Sequence, residues 1–225
     1  MNVVSTRGTE PVALSTAIAK GQAPDGGLYM PQTITKQGRP IDTLLTERTT
    51  HALQPFFAGD TMAPHLDDIV QESLSFDAPT KWINRDTALL ELFRGPTAAF
   101  KDFGARFLAS CLSRLFPTDQ HHTVLVATSG DTGAAVAAAF HRLPNFRVIV
   151  LYPDNLVSPR QAHQLGAFGD NVATYRVAGN FDDCQRLVKA AFADPRLTER
   201  HGLVSANSIS LGRLLPQMSY YVHAS

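Results

Sequence analysis

The sequence predicts an α/β protein in which a helical N-terminal part precedes a mainly parallel sheet. Two observations carry this prediction. Beyond about residue 80, short apolar runs alternate with helical patterns, and strands joined through helices form parallel sheets covered on both faces. Before that point, helical patterns dominate. The 225 residues allow one large or two small domains, and we expect a division into residues 1–80 and 81–225.

The N-terminal part contains three helical patterns. They are residues 14–20, 43–57 and 64–76. The first two end near Gly21 and Gly59, and glycine is the usual residue just after a helix. The third begins with Pro64, which suits a first helical turn, and Asp67 and Asp68 suit the positive end of the helix dipole.

The second part alternates strands and helices. The predicted strands are residues 124–127, 146–151, 172–177 and 203–205. The predicted helices are residues 102–116, 132–142, 159–168, 181–193 and 211–223. In parallel sheets, ligands bind at the carboxyl ends of the strands, so we expect the functional residues where strands lead into helices.

Composition excludes several classes of protein. Hydrophobic residues make up 44% of the chain, which indicates a globular protein, and 20 basic residues balance 20 acidic ones. This balance argues against a general nucleic-acid binder or a polybasic membrane-surface protein. No secretory pattern opens the sequence, and no apolar run approaches the roughly 20 residues that span a bilayer. Cys111 and Cys184 form no CxxC pattern, so we expect two reduced thiols in a cytoplasmic protein.

The segment TSGDTG at residues 128–133 follows a predicted strand and opens an alanine-rich helix. Its glycines permit a tight turn, and its hydroxyls and free amides face outward at the positive end of the helix. This arrangement favours an anion or small-ligand site, although an ordinary helix cap explains part of the pattern. The spacing matches neither a P-loop nor a GxGxxG motif.

Lys101 lies among aromatic and small residues, with Asp102 next to it as a candidate N-cap. An apolar neighbourhood disfavours the charged form of lysine and leaves more nucleophilic free amine. That is what a lysine needs in order to form a Schiff base. The alternative is a surface lysine beside helix-facing phenylalanines.

Five segments, in this order and spacing, resemble the threonine synthase family. They are STRG at 5–8, APDGGLYMP at 23–31, ELFRGPTAAFKDFGARFLA at 91–109, ATSGDTGAAVAAAF at 127–140 and SANSISLGRLLPQ at 205–217. The first two resemble the N-terminal domain of that family, and the resemblance extends over essentially the whole chain. It implies a pyridoxal-phosphate enzyme of fold type II, the tryptophan-synthase-β-like fold, of which the second part of this chain supplies a portion.

The resemblance also implies roles for particular residues. Lys101 would form the Schiff base with pyridoxal phosphate and carry protons, with Phe100 and Asp131 near the cofactor. The residues implied for the substrate α-carboxylate are Thr128, Ser129 and Thr132. Those implied for the substrate phosphate are Asn207, Ser208 and Arg213, and a guanidinium suits a phosphate because it donates two parallel hydrogen bonds.

The implied reaction converts O-phospho-L-homoserine and water to L-threonine and phosphate, the last step of threonine biosynthesis. A serine/threonine dehydratase is the nearest alternative enzyme. The segments at 24–31 and 207–213 argue against it, because a dehydratase substrate carries no phosphate. A non-catalytic binding module related to threonine synthase is the alternative from another class.

Two departures from the family pattern stand out. Leu156 occupies the place where the family commonly has a lysine that touches the substrate phosphate, and Arg160 is a candidate replacement. Family members also continue well beyond Ser225, so we expect this chain to be an N-terminal portion. Surface normally covered by the remainder would then be apolar and exposed, which predicts self-association.

Other conspicuous residues are assigned structural roles. The adjacent His121 and His122 are interpreted as a loop end rather than a metal site, since neighbours in extended backbone point to opposite faces. The segment GNF at 179–181 is interpreted as the start of a helix rather than a cofactor-phosphate loop. Asp182 and Asp183 are interpreted as first-turn acids, and Trp82 as packing at the domain junction.

Overall fold

The computed structural model describes residues 1–8, 10–34, 44–154 and 156–225. Its N-terminal part combines a small antiparallel sheet, of order β2-β1-β3, with three helices. The strands are β1 (Asn2–Ser5), β2 (Val12–Ala13) and β3 (Tyr29–Pro31). The helices are α1 (Leu14–Lys20), α2 (Leu45–Phe57) and α3 (Leu66–Ser73).

The N-terminal helices follow their predicted patterns with changes at the ends. The chain from Ala63 to His65 forms a separate 3-10 turn, and α3 ends at Ser73, short of the predicted Phe76. The predicted start at Thr43 lies outside the described residues. The small sheet was not predicted, because strands of two to four residues are too short to show a period of two.

A hairpin follows, formed by β4 (Thr80–Asn84) and β5 (Thr87–Leu90). Nearly all of its residues are exposed, and Trp82 is 71% exposed. The expectation that Trp82 packs at a domain junction is therefore wrong for this chain. The predicted division at residue 80 stays a prediction.

The second part contains a four-stranded parallel sheet of order β8-β7-β6-β9, which confirms the predicted α/β class. The strands are β6 (His122–Ala127), β7 (Phe146–Pro153), β8 (Val172–Val177) and β9 (Leu203–Ser205). The helices up to the last strand are α4 (Lys101–Leu115), α5 (Asp131–Phe140), α6 (Pro159–Gly166), α7 (Phe181–Ala193) and α8 (Pro195–His201). Helix α8 was not predicted; its start is marked by Asp194, whose carboxylate accepts from the backbone of Arg196.

Strand order creates a switch point between β6 and β9. From β6 the chain proceeds to β7 and β8 on one side, and then crosses through α7 and α8 to place β9 on the other side. Leu125 of β6 pairs with Ser205 at the end of β9, so both strands finish at the same edge. The crevice outside such a pair of strand ends is where parallel sheets bind ligands.

The final helical pattern, predicted as one helix over 211–223, is broken into three pieces. Helix α9 (Leu211–Leu214) leads through a 3-10 turn (Leu215–Gln217) into α10 (Met218–Ala224). Pro216 lies in that turn, and it cannot donate the backbone hydrogen bond that a continuous helix requires.

Helix α4 lies at the centre of the apolar core. Phe103, Phe107, Leu108 and Leu112 are fully buried on it. They belong to a continuous cluster that extends from the N-terminal helices to the sheet, so the two parts of the chain share one core. Cys111 and Cys184 are free thiols, as the sequence predicts, and both are buried. Among the described residues, no helix is long and apolar enough to cross a membrane.

Candidate active site

The turn before α4 presents Lys101. The Asp102 carboxylate is fully buried and accepts hydrogen bonds from the Thr97 backbone N–H (2.9 Å) and from Thr97 Oγ1 (2.7 Å). Gly95 lies against this carboxylate so closely that a Cβ atom there would clash with it. Asp102 therefore closes the turn from within the helix, and its predicted role as the N-cap is wrong: Phe100 is the N-cap residue, without a side-chain hydrogen bond.

The amine of Lys101 lies in a partly desolvated place. Its Nζ is 4.4 Å from the centroid of the Phe100 ring. Burial holds the pKa of Lys101 below its ordinary value, and the positive charge of Arg213 lowers it further, whereas the negative charge of Asp131 opposes the shift. The amine is therefore neutral more often than that of a solvated surface lysine.

Arg213, on α9, packs directly behind the lysine helix. Its side chain is 2% exposed, and its Nη1 donates to the Ala206 carbonyl at 2.9 Å. Gly104 makes this approach possible, since a Cβ atom there would lie 2.8 Å from the Arg213 carbonyl oxygen and 2.9 Å from its Nε. Burial lowers the pKa of Arg213 to about 10, against the opposing charge of Asp102.

Two buried polar atoms in this segment have no hydrogen-bond partner among the described residues. They are Nε of Arg213 and Oγ of Ser210. A buried N–H or O–H without a partner costs about 1–3 kcal/mol.

The loop between β6 and α5 is shaped by Thr128. Its hydroxyl donates to the Gly130 carbonyl (2.9 Å) and accepts from the backbone N–H groups of Gly130 (3.0 Å) and Gly133 (2.9 Å). Thr128 is almost completely buried, whereas Ser129 and Asp131 are exposed. The hydroxyl of Thr128 is thus engaged inside the loop, and the exposed groups of the loop surround the N-terminus of α5.

The predicted loop and the predicted phosphate segment meet. Thr132 Oγ1 and Ser208 Oγ are 3.4 Å apart, across the switch point between β6 and β9. Asn207 is exposed, and its Oδ1 accepts from the backbone N–H of Ile209 at 3.3 Å. Residues from both segments and Lys101 thus lie around one edge of the sheet.

Other predicted residues lie elsewhere or have structural roles. Leu156 is 60% exposed, and Arg160 is also exposed on α6. Asn180 caps α7 in a reciprocal pair with Asp183, which agrees with reading GNF as the start of a helix. His122 begins β6 and stacks on the Phe116 ring, with ring centroids 4.1 Å apart.

Two glutamines that the sequence analysis did not single out join parts of the site. Gln161 Nε2 donates to Asp131 Oδ1 at 3.0 Å, and Gln164 Nε2 donates to the Thr97 carbonyl at 3.2 Å. The spacing of Ser158 and Gln161 is a capping-box pattern, which predicts where α6 begins. The residues around each glutamine in the sequence do not indicate its hydrogen bond to a distant part of the chain.

Each part of the chain matches a known protein family in sequence. Residues 87–211 match the family described as pyridoxal-phosphate dependent enzyme, and residues 2–74 match the threonine synthase N terminus. Threonine synthase of Buchnera aphidicola subsp. Schizaphis graminum is 42% identical over 96% of this chain and 52% of the relative. Threonine synthase of Escherichia coli is 41% identical over 96% of this chain and 51% of the relative. The chain therefore spans about half the length of these curated relatives.

Comparison with solved structures leads to the same family as comparison of sequences. The crystal structure of threonine synthase from Escherichia coli matches 99% of this chain and 53% of that chain, with a TM-score of 0.90 and 38% identity. The structure of threonine synthase from Brucella melitensis with bound pyridoxal phosphate matches 100% of this chain and 51% of that chain, with a TM-score of 0.89 and 35% identity. The predicted fold type II architecture is confirmed by these matches. The chain belongs to the pyridoxal-phosphate dependent enzyme family.

Proposed function

We propose that this chain is the N-terminal portion of a threonine synthase, which converts O-phospho-L-homoserine and water to L-threonine and phosphate. The observation that carries the proposal is the placement of a partly desolvated Lys101 beside a buried Arg213 and a helix-opening loop. Relatives 41–42% identical to the chain are named threonine synthase. A cytoplasmic location belongs to the same proposal.

The residues present fit the aldehyde side of pyridoxal phosphate. Lys101 offers an amine with a lowered pKa, as condensation with an aldehyde requires, and Phe100 offers an aromatic surface next to it. Asp131 is the acidic group on this side of the site. When bound, the cofactor supplies an electron sink for the carbanion that forms when the amino-acid α-carbon loses a proton.

The substrate carries two anionic ends, and the site has two places for anions. The exposed hydroxyl of Ser129, the hydroxyl of Thr132 and the free N–H groups at the start of α5 suit the α-carboxylate. Thr128 supports them by holding the loop in shape. Helix N-termini favour negative charge, so this end of the site positions the substrate.

The second anion is the phosphate. Asn207, Ser208 and Arg213 are proposed to hold it, with the buried guanidinium of Arg213 contributing the positive charge. A guanidinium binds phosphate through two parallel hydrogen bonds. This buried cation favours a phosphorylated substrate over the serine or threonine of a dehydratase.

Lys101 is also proposed to carry protons. An amine whose pKa is lowered by burial and by a nearby cation takes up and releases a proton more readily near neutral pH than a surface lysine does. Partial exclusion of water around the amine keeps that proton within the site.

Self-association forms a further part of the proposal. Large apolar side chains are exposed on the hairpin, including Trp82, Ile83 and Leu89. Apolar patches of this kind mark interaction surfaces or cause aggregation.

The proposal is tested by adding pyridoxal phosphate to the purified chain, reducing with borohydride and locating the pyridoxyl adduct by mass spectrometry. We expect the adduct on Lys101 in preference to the exposed Lys189, and we expect Lys101→Ala to abolish this selectivity. Release of inorganic phosphate from O-phospho-L-homoserine, compared with deamination of L-serine, then separates a synthase from a dehydratase. An adduct spread evenly over the lysines would contradict the proposal for this chain.

A further inference from the structure

Helix α6 makes two side-chain hydrogen bonds to other parts of the site. Gln161 donates to the Asp131 carboxylate, and Gln164 donates to the Thr97 carbonyl in the turn before Lys101. Residues three apart on a helix lie on the same face. One face of α6 therefore contacts both the loop after β6 and the turn that presents the amine.

The orientation of the Gln161 amide is fixed from both sides. Its Oε1 accepts from the backbone N–H and from the hydroxyl of Ser158, each at 3.1 Å, so its Nε2 is left to face Asp131. The loop closes tightly on this amide: a Cβ atom at Gly130 would lie 3.0 Å from Gln161 Cδ and closer still to its Nε2. A glutamine held in this way provides a directed donor for one carboxylate oxygen.

We propose that Gln161 is a positioning residue that holds the Asp131 carboxylate toward Lys101. Asp131 is exposed, and an exposed aspartate without a partner samples several rotamers. The bond from Gln161 removes that freedom and ties the loop to α6, while Gln164 ties the same helix to the lysine turn. This role rests on the proposed function in one respect, namely that Lys101 is the reactive amine.

The titration of Lys101 reports where Asp131 lies. Burial and the positive charge of Arg213 lower the pKa of Lys101, and the negative charge of Asp131 raises it. If the carboxylate is released from Gln161 and moves away, its opposing effect weakens. The amine then loses its proton at lower pH.

The experiment is competitive labelling of the full chain with acetic anhydride over a pH series, with mass spectrometry of the peptide that contains Lys101. Lys189, an exposed lysine on α7, corrects for loss of reagent. We expect Gln161→Ala to shift the labelling midpoint of Lys101 to lower pH. We expect Asp131→Asn to shift the midpoint in the same direction. Adding Gln161→Ala to Asp131→Asn should cause no further shift.

The matched control is Gly166→Ala, at the end of the same helix. A Cβ atom there meets nothing within 4 Å, so the bond from Gln161 to Asp131 is left in place and the midpoint should stay at its native value. Gln161→Met, which keeps the side-chain length without a donor, should match Gln161→Ala. Circular dichroism checks that each variant is folded.

A native midpoint in both Gln161 variants would overturn the inference, as would an equal shift in Gly166→Ala. The labelling reagent is not the cofactor, so this comparison is independent of pyridoxal phosphate. Failure of pyridoxal phosphate to select Lys101 counts against the proposed function, and the midpoints still decide the role of Gln161.

Discussion

Gly104 is a residue at which the lysine helix and the segment of Arg213 come into close contact. A Cβ atom there would lie 2.8 Å from the carbonyl oxygen of Arg213. This oxygen is part of the backbone, so it can move away only if the chain around Arg213 moves with it. We expect Gly104→Ala to lower the free energy of unfolding by about 1–3 kcal/mol, as overpacking of a tight interior does. Urea denaturation measures this change.

The matched control for this substitution is Gly166→Ala at the end of α6. A Cβ atom at Gly166 meets nothing within 4 Å, so that variant should stay within about 0.5 kcal/mol of the native chain. Alanine favours helical backbone more than glycine does at both positions, so a loss of stability confined to Gly104→Ala is due to the contact with Arg213. Equal stabilities would contradict the close approach.

At the residue scale, sequence patterns single out the candidate reactive groups, but they do not single out the residues that hold those groups in place. Lys101 and the loop at 128–133 stand out because their neighbours are unusual for a surface lysine and for a helix start. Asp102 was misassigned as a cap because its bond to Thr97 depends on the course of the turn before it. Gln161 carries no signal of its partner, since Asp131 is 30 residues away in sequence.

At the scale of elements, helices α3 and α4 are joined through Glu72. Its carboxylate accepts from Ser110 Oγ at 2.6 Å and from the Arg114 guanidinium at 2.7 and 2.8 Å. The hydrogen bonds from Arg114 are the main cause of the lowered pKa of Glu72, with a smaller contribution from Ser110. The folded chain thus holds this carboxyl ionised at a lower pH than the unfolded chain does.

The sign of the pH dependence follows from that shift. A carboxyl with a lowered pKa in the folded state stabilises the fold above its unfolded pKa, and this stabilisation is lost as pH falls through the folded pKa. We expect the free energy of unfolding of Glu72→Gln to fall less steeply below about pH 4.3 than that of the native chain. Urea midpoints measured between neutral and acidic pH test this expectation.

Arg114→Gln serves as the partner control, since it removes the same ion pair from the other side. Its free energy of unfolding should also fall less steeply at acidic pH than that of the native chain. If Arg114→Gln instead loses stability at acidic pH as steeply as the native chain, the lowered pKa of Glu72 has another cause.

Elements with a strong period, or with an apolar run between two helical patterns, were predicted well, whereas the short N-terminal strands were not. The bounds of β8, α7 and β9 agree with the sequence patterns at both ends. The strands of the small N-terminal sheet are too short to show a period. The break near Pro216 was missed because the apolar spacing continues across it, although proline itself argues against an unbroken helix.

At the scale of the whole molecule, the parallel sheet follows from the alternation of strands and helices, but its strand order does not. The sequence alone does not show that β9 pairs with β6, and this pairing brings Ser208 next to Thr132. The site is therefore a product of topology: three segments distant in sequence meet because two strands end at one edge.

The exposed hairpin of β4 and β5 is the surface on which the proposed self-association depends. Trp82 pairs across the hairpin with Ala88, and Leu89 with Lys81, so apolar side chains project from both faces. A two-stranded hairpin is marginally stable by itself, and 71% exposure of a tryptophan is costly in water. The proposed self-association would bury these faces between copies of the chain.

Sedimentation velocity over a range of concentrations tests this last proposal. We expect the native chain to associate as concentration rises, and Trp82→Ser combined with Leu89→Ser to shift it toward the monomer, because the variant removes an apolar side chain from each face. Leu187→Ser is the matched control: Leu187 is 50% exposed on α7, away from the hairpin in sequence, and its loss should leave association unchanged. A native chain that remains monomeric, or an equal effect of the two variants, would mean that the hairpin is not the surface through which copies meet.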